Sequence, residues 1–260
     1  MRTIIAQCHR MNKAIVLFCI SIILACGQKA KTELSAQDII NESIKISGGE
    51  GYQKNTFSFD FRGRSYVMER KAGRKILKRI SQIDSNTVLD VKQHNGLQRF
   101  VNDSLVHLPD SMANKYGNSV NSVHYFAYLP YGLNDPAVNK KYLGRSRIKG
   151  KDYHEIQVTF DKEDGGDDYD DIYVYWFDVT TLKPDYIAYE FHVDGGGKRF
   201  RQAYNERYVN GIRFVDYKNY KPIDQTIAVQ KMDSLFMAGQ LELLSEIELK
   251  NITVLPGNYN

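Results

Sequence analysis

The chain has 260 residues, 42% of them hydrophobic, enough to bury one sizeable core, and a single domain of this length is ordinary for β-rich architectures. Its formal charge is only +4, with 35 Lys and Arg nearly balanced by 31 Asp and Glu along the chain, which argues against the concentrated basic face of a nucleic-acid partner. Cys8, Cys19 and Cys26 are the only cysteines, so the body of the protein has neither a disulfide framework nor a cysteine metal site.

The first element in chain order is MNKAIVLFCISIILAC, with Lys13 as a positive flank and twelve uncharged residues from Ala14 to Ala25. Roughly 20 apolar residues are needed to span a bilayer, so this core suits an export signal rather than a transmembrane helix. A start at Met11 would give that signal a more usual length. The run Ile23-Leu24-Ala25-Cys26-Gly27 resembles the lipobox of bacterial lipoproteins, with Leu24 bulkier than the small residue common there. The resemblance implies a signal peptide over residues 1–25, lipid on Cys26, and a mature protein held on a membrane surface by acyl chains. Gly27 and Gln28 lack the aspartate that retains some lipoproteins at the inner membrane. Lys29-Ala30-Lys31-Thr32 lacks the acidic residues of surface-display signals. By the same resemblance, the destination is the periplasmic face of the outer membrane.

Residues 26–33 read as a tether, and residues 34–260 as one domain. LSAQDIINESIKISGG predicts a helix capped by Ser35, with Asp38 completing a capping box and Gly48-Gly49 ending it. The period then changes to two. NTFSFDFRGRSYVMER sets Phe57, Phe59 and Phe61 on one side of a strand, followed by a turn at Gly63. Strand signals continue through residues 75–83, 87–93, 97–101 and 105–108, separated by short polar turns that imply antiparallel hairpins. Asp110 then stands as the cap of a second helix, in which Val120, Val123, His124 and Ala127 recur at helical spacing up to Pro130. Six further strand signals run from Lys141 to Pro222, a less regular stretch follows, and LELLSEIELKNITV closes the series. The expected fold is α+β: a single strongly curved antiparallel sheet of about ten or eleven strands, a half-barrel, embracing one or two helices.

Several runs resemble an uncharacterised family of lipoproteins and secreted proteins of the Bacteroidota: SAQDIINESIKISGGEGY, TFSFDFRG, DDYDDIYVYWFD, DYIAYEFH and GGGKRFRQAYNERYVNGIRFVDYKNYKP. The likeness covers most of residues 34–255. The layout also resembles, more distantly, the half-barrel of LolA- and LolB-type lipoprotein carriers, which implies a cavity for acyl chains by analogy of fold.

The glycine run of VDGGGKRFRQAYNER looks at first like a phosphate loop. Such a loop needs a helix after it, whereas KRFRQAYN alternates as a strand, so the glycines read as a hairpin turn. Arg199 and Arg201 remain candidates for an anionic head group. DKEDGGDDYDD, residues 161–171, is acidic enough to make Asp164, Asp167 and Asp168 weak calcium candidates, but its spacing departs from an EF-hand and it reads as a solvated hairpin tip. The histidines of the domain show no metal-ligand spacing, and no GxSxG or HExxH motif is present, so no metal, cofactor or catalytic residue is assigned. Asp60, Glu155 and Glu190 are the carboxylates a hydrolase would use as a base.

Aromatic residues are the remaining signal: 18 Tyr and 12 Phe against a single Trp. Most pack a core by their alternation, and the rest would line a cavity for an apolar ligand. Phe57, Phe59, Phe61, Tyr125, Phe126, Tyr173, Tyr175, Ile187 and Tyr189 are the cavity candidates. The sequence therefore predicts a lipid-anchored envelope protein that binds lipid or lipoprotein acyl chains, with movement of the second helix over residues 116–130 gating entry. An envelope scaffold and a periplasmic hydrolase are the alternatives.

Overall fold

The computed structural model describes residues 34–163 and 169–257. The signal segment, the tether, Cys26, Asp164, Asp167 and Asp168 lie outside the described residues. Ser35–Asn260 forms one compact unit.

Helix α1 spans Ala36–Ser47. Its capping box forms as the sequence predicts: Asp38 N donates to Ser35 Oγ at 3.1 Å, and Ser35 N donates to Asp38 Oδ2 at 3.1 Å. Ala36, Ile39, Ile40, Ser43 and Ser47 make its buried stripe. Gly48 ends the helix at φ +150°, and a Cβ there would lie 2.6 Å from Ile212 Cδ1, so only glycine allows the corner to approach this close. The short helix α2, Gly51–Lys54, follows and buries Tyr52, whose hydroxyl donates to Ser47 O.

Strands β1 (Asn55–Phe61), β2 (Arg64–Lys71), β3 (Arg74–Ile83), β4 (Asn86–Gln93), β5 (Gly96–Val101) and β6 (Ser104–Val106) form a meander. Phe57 faces Met68 and Phe59 faces Tyr66 in register, and all four are buried. Helix α3, Asp110–Ala127, comes next. Asp110, expected as its cap, is instead its first helical residue: Pro109 occupies the cap position and makes no side-chain cap bond. The carboxylate of Asp110 still sits in the first turn, where the helix dipole favours it.

Strands β7 (Val138–Ile148), β8 (Lys151–Phe160), β9 (Ile172–Asp178), β10 (Pro184–Phe191), β11 (Gly197–Val209) and β12 (Ile212–Pro222) form a second meander. After it come helix α4 (Met232–Met237) and strands β13 (Leu241–Ile247) and β14 (Lys250–Pro256).

These strands make two antiparallel sheets of seven, not one sheet of ten or eleven. The orders are β14-β1-β2-β3-β4-β5-β6 and β13-β12-β11-β10-β9-β8-β7. LELLSEIELKNITV accounts for the difference, because it splits between them: β13 pairs with β12, and β14 pairs with β1. The crossing is tied by Asp216, which is 3% exposed and accepts from Leu249 N, Arg207 Nη2 and Asn205 Nδ2 at 3.0, 2.8 and 2.6 Å. Arg207 also donates to Leu249 O at 2.8 Å, so both backbone groups of the crossing residue are met.

Three apolar clusters result. One lies between α1 and the face of the second sheet carrying Tyr175, Phe177 and Ile187. Another joins the first sheet to α3 through Phe57, Phe59, Val120 and Ala127. The third covers the opposite face of the second sheet, where Trp176, Ala188 and Phe200 meet Val229 and Met232. The irregular stretch after Pro222 is thus the cover of that face, which is why β9 reads as the nearly continuous apolar run IYVYWFD.

Helix α3 is clamped to the first sheet by charge as well as by packing. Asp90 is fully buried and accepts from Arg79 Nε and Nη2 at 3.1 and 2.7 Å and from Arg99 Nε and Nη2 at 2.7 and 3.0 Å. Arg79 Nη1 then donates to Ser119 of α3 at 2.9 Å, and the Arg99 guanidinium lies 3.7 Å over the ring of Tyr116.

Candidate functional site: a helix-covered cavity

A second stripe of α3 faces away from this clamp. Val120, His124 and Ala127 face the first sheet, while Ser111, Lys115, Asn118, Ser122 and Phe126 recur at spacings of four and three along another side of the helix. That second stripe walls a cavity of about 790 Å³, whose far side is the second sheet. Tyr173, Tyr189, Arg201, Val215 and Tyr217 project from β9 to β12, and Ile247 from β13. The volume lies within the roughly 300–1,000 Å³ of small-molecule sites.

The lining is graded. Phe126, Tyr173, Val215 and Tyr217 are buried or half-buried and mostly apolar, whereas Arg62, Ser111, Asn114 and Lys115 are exposed and polar. A molecule with an apolar body therefore meets hydrocarbon and ring faces inside and a hydrated rim outside. Burial raises the Tyr217 hydroxyl above its ordinary pKa, so it is neutral and available as a donor.

Arg201 is 9% exposed, yet it lines the cavity. Its Nη2 donates to the Tyr189 hydroxyl at 2.8 Å, and its guanidinium lies 3.8 Å from the centroid of the Phe126 ring. Arg199 is half-buried, donates to Lys198 O at 2.8 Å and stacks 5.0 Å from the Phe191 centroid.

Of the aromatic and aliphatic residues singled out in the sequence, Phe61, Phe126, Tyr173 and Tyr189 line the cavity. Phe57 and Phe59 do not; they are core residues of the first sheet, with ring centroids 5.2 and 6.0 Å from Tyr128. Tyr175 and Ile187 lie in the core beneath α1, and Tyr125 packs against it, its hydroxyl 3.0 Å from that of Tyr175. Alternation identifies the inward face of a strand, but which length of that face a helix covers depends on the packing. Sequence reasoning also passed over Val215, Tyr217, Asn219 and Ile247 and the polar stripe of α3. The stripe was legible as a four-and-three recurrence of Ser, Lys and Asn beside the apolar one.

Among the described residues, Asp170, Asp171 and His192 bring one ligand atom each within 4.8 Å of one another. Asp171 is engaged locally, accepting from the Tyr173 hydroxyl at 3.4 Å and from His192 N at 3.3 Å. The carboxylates considered as bases are dispersed and none lines the cavity. Asp60 is held below its ordinary pKa by hydrogen bonds from Ser65 and Asn251, Glu190 pairs with Lys198 at 3.1 Å, and burial with the nearby Asp233 charge raises Glu155 to about 7.

Two antiparallel sheets, one clamped to a helix whose second stripe walls an aromatic cavity against the other, define a cavity-bearing β-sheet protein. The chain belongs to a family of unknown function, DUF6503, whose model matches residues 12–249. No curated protein matches it. Among solved structures it is similar to a LolA superfamily protein from Nitrosomonas europaea, with a TM-score of 0.47 and 11% identity over 85% of this chain and 94% of that one. It is also similar to a DUF1329 family protein from Desulfovibrio piger, with a TM-score of 0.44 and 10% identity over 84% and 92%. The lipoprotein LppX of Mycobacterium tuberculosis gives a TM-score of 0.25 and 12% identity over 62% and 91%. Among the described residues, no helix is long and apolar enough to cross a membrane.

Proposed function

We propose that this protein is an envelope lipoprotein that takes an apolar or amphipathic molecule, a lipid or the acyl chains of a lipoprotein, into the cavity between α3 and the second sheet. The observation that carries the reading is that cavity: about 790 Å³, lined by Phe126, Tyr173, Val215 and Tyr217, with polar residues gathered at its rim. Binding transfers acyl surface from water to ring faces, about 25 cal/mol for each Å² buried. Helix α3 is the element whose displacement would open the cavity, since one of its stripes forms the wall. Residues 1–25 act as the signal and residues 26–33 as the tether. The lipid on Cys26 anchors the protein to the outer membrane, facing the periplasm, as in the Bacteroidota lipoproteins that its motifs resemble. In a pure scaffold, side chains would fill this volume.

Native mass spectrometry of residues 26–260 carrying Cys26→Ser, purified from a bacterial periplasm, tests the reading. Lipid retained at near one per chain is the expected result. Ligand-free protein that also takes up no fatty acid and no acylated peptide would overturn it. Metabolic labelling with palmitate should mark the wild-type chain and leave the Cys26→Ser full-length chain unlabelled.

A further inference from the structure

Three polar side chains that line the cavity each keep one buried atom without the partner that buried polar groups require. Arg201 on β11 and Asn219 on β12 face each other in register, and Tyr217 lies two positions along β12 on the same face. Among the described residues, Arg201 Nε, the Tyr217 hydroxyl and Asn219 Oδ1 are buried and have no hydrogen-bond partner. All three residues line the cavity. Arg79 and Arg213, buried at least as deeply, meet Asp90 and Glu206 at 2.7 Å. Arg201 instead donates to a neutral hydroxyl, that of Tyr189. A buried cation without a counter-charge is strongly unfavourable, and a purely hydrocarbon ligand would leave it so.

The surroundings also fix the direction from which a partner must come. The Phe126 ring, 3.8 Å from the guanidinium carbon, covers one face of the Arg201 plane, so a partner meets the in-plane N–H groups. That fork matches a carboxylate, which accepts two parallel N–H···O bonds. The Tyr217 hydroxyl supplies a further donor. The Asn219 amide donates to Ser245 Oγ at 3.4 Å; turned over, it accepts from Ser245 through Oδ1 and offers its NH₂ to the same anion. One buried guanidinium balances one negative charge. Arg62 and Lys115 at the exposed rim are hydrated and need no such partner.

We propose that Arg201, Tyr217 and Asn219 form a carboxylate seat at the inner end of the cavity, and that the ligand is a single-chain carboxylic acid of the fatty-acid class, bound head inward. This rests on the cavity reading above and adds the ligand's charge and orientation. Its chain lies against Phe126, Tyr173 and Val215.

The test uses delipidated residues 26–260 with Cys26→Ser at pH 8, loaded with the neutral fluorophore N-phenyl-1-naphthylamine and titrated with dodecanoate, dodecanol or dodecyl phosphate. Dodecanoate should displace the probe at a concentration at least ten-fold below dodecanol and below dodecyl phosphate. Arg201→Met should abolish the preference of the acid over the alcohol. Tyr217→Phe, which removes only a hydroxyl, should weaken dodecanoate about three-fold and guards against misfolding of the Met variant. Equal binding of acid and alcohol, a preference that survives Arg201→Met, or tighter binding of the phosphate would overturn the carboxylate seat and leave the cavity reading intact. Failure of the probe and all three ligands to bind would overturn both.

Discussion

Lowering the pH should weaken the attachment of α3 to the first sheet through His124. This side chain is 2% exposed, with Nε2 3.1 Å from Lys78 O and Nδ1 3.2 Å from the Tyr128 hydroxyl. A carbonyl only accepts, so Nε2 carries the proton of the neutral ring and Nδ1 accepts from Tyr128. The rings of Phe59 and Tyr66 meet it edge-on at 5.9 and 5.6 Å. Burial pushes its pKa down to about 4, opposed by the Lys78 carbonyl and reinforced by the charge of Lys75. In the unfolded chain the ordinary value is about 6.5, so between these two values the unfolded state binds more protons. The stabilisation is therefore complete above about pH 6.5 and is lost as pH falls toward about 4. At about 1.4 kcal/mol per pH unit the whole window is worth about 3 kcal/mol, of which about 2 kcal/mol disappears between pH 7 and pH 5. Urea unfolding of residues 26–260 with Cys26→Ser at pH 5, 6, 7 and 8 should be compared with the same series for His124→Gln. The Gln amide can donate to Lys78 O but does not titrate, so the variant should be the less stable at pH 7 and lose most of its deficit by pH 5. Glu155, raised to about 7, acts with the opposite sign and is common to both proteins, so it cancels in the difference. Parallel stability profiles for the two proteins would refute the assignment of a buried neutral imidazole.

Other substitutions test other links. Asp90→Ala leaves Arg79 buried without its counter-charge and should cost about 3–5 kcal/mol in equilibrium unfolding, while an effect under about 1 kcal/mol would mean that the clamp contributes little. Gly48→Ala sets a Cβ 2.6 Å from Ile212 Cδ1 and should lose about 1–3 kcal/mol; adding Ile212→Val restores part of this if the clash is the cause, and none if the backbone conformation is. Ser122→Trp places a ring in the cavity from an exposed helix position and should reduce lipid uptake at least ten-fold with stability changed by no more than about 0.5 kcal/mol. Undiminished uptake by that variant would place the ligand elsewhere.

The elements whose signals are local were legible in the chain. Ser35 and Asp38 satisfy the first amides of α1 within four residues of sequence, and alternation in NTFSFDF turns Phe57 and Phe59 inward whatever lies opposite. Asn210-Gly211 gives a tight turn for a similarly local reason, whereas the turn expected at Asn95-Gly96 falls one residue earlier, on His94-Asn95, with Gly96 opening β5 opposite Gln93. The charge of Arg201 and its place on β11 were visible too, as were the rings on β9 and β10. What the sequence left open depends on which strand edge each segment meets. LELLSEIELKNITV has one strand-like pattern, yet its halves pair with β12 and β1, strands more than 150 residues apart in the chain, and that division makes two sheets from what reads as one. No periodicity encodes such a choice, because hydrogen bonding at a strand edge is the same backbone chemistry for every sequence. The cavity has the same origin. Tyr173 and Tyr175 point to one side of β9, but α3 is tied to the first sheet through Asp90 and its two arginines, so Tyr173, at the edge of the core, also lines the cavity, while Tyr175 is fully buried beneath α1. The sequence determined which faces turn inward; only the packing of α3 decided where those faces meet atoms and where they meet space.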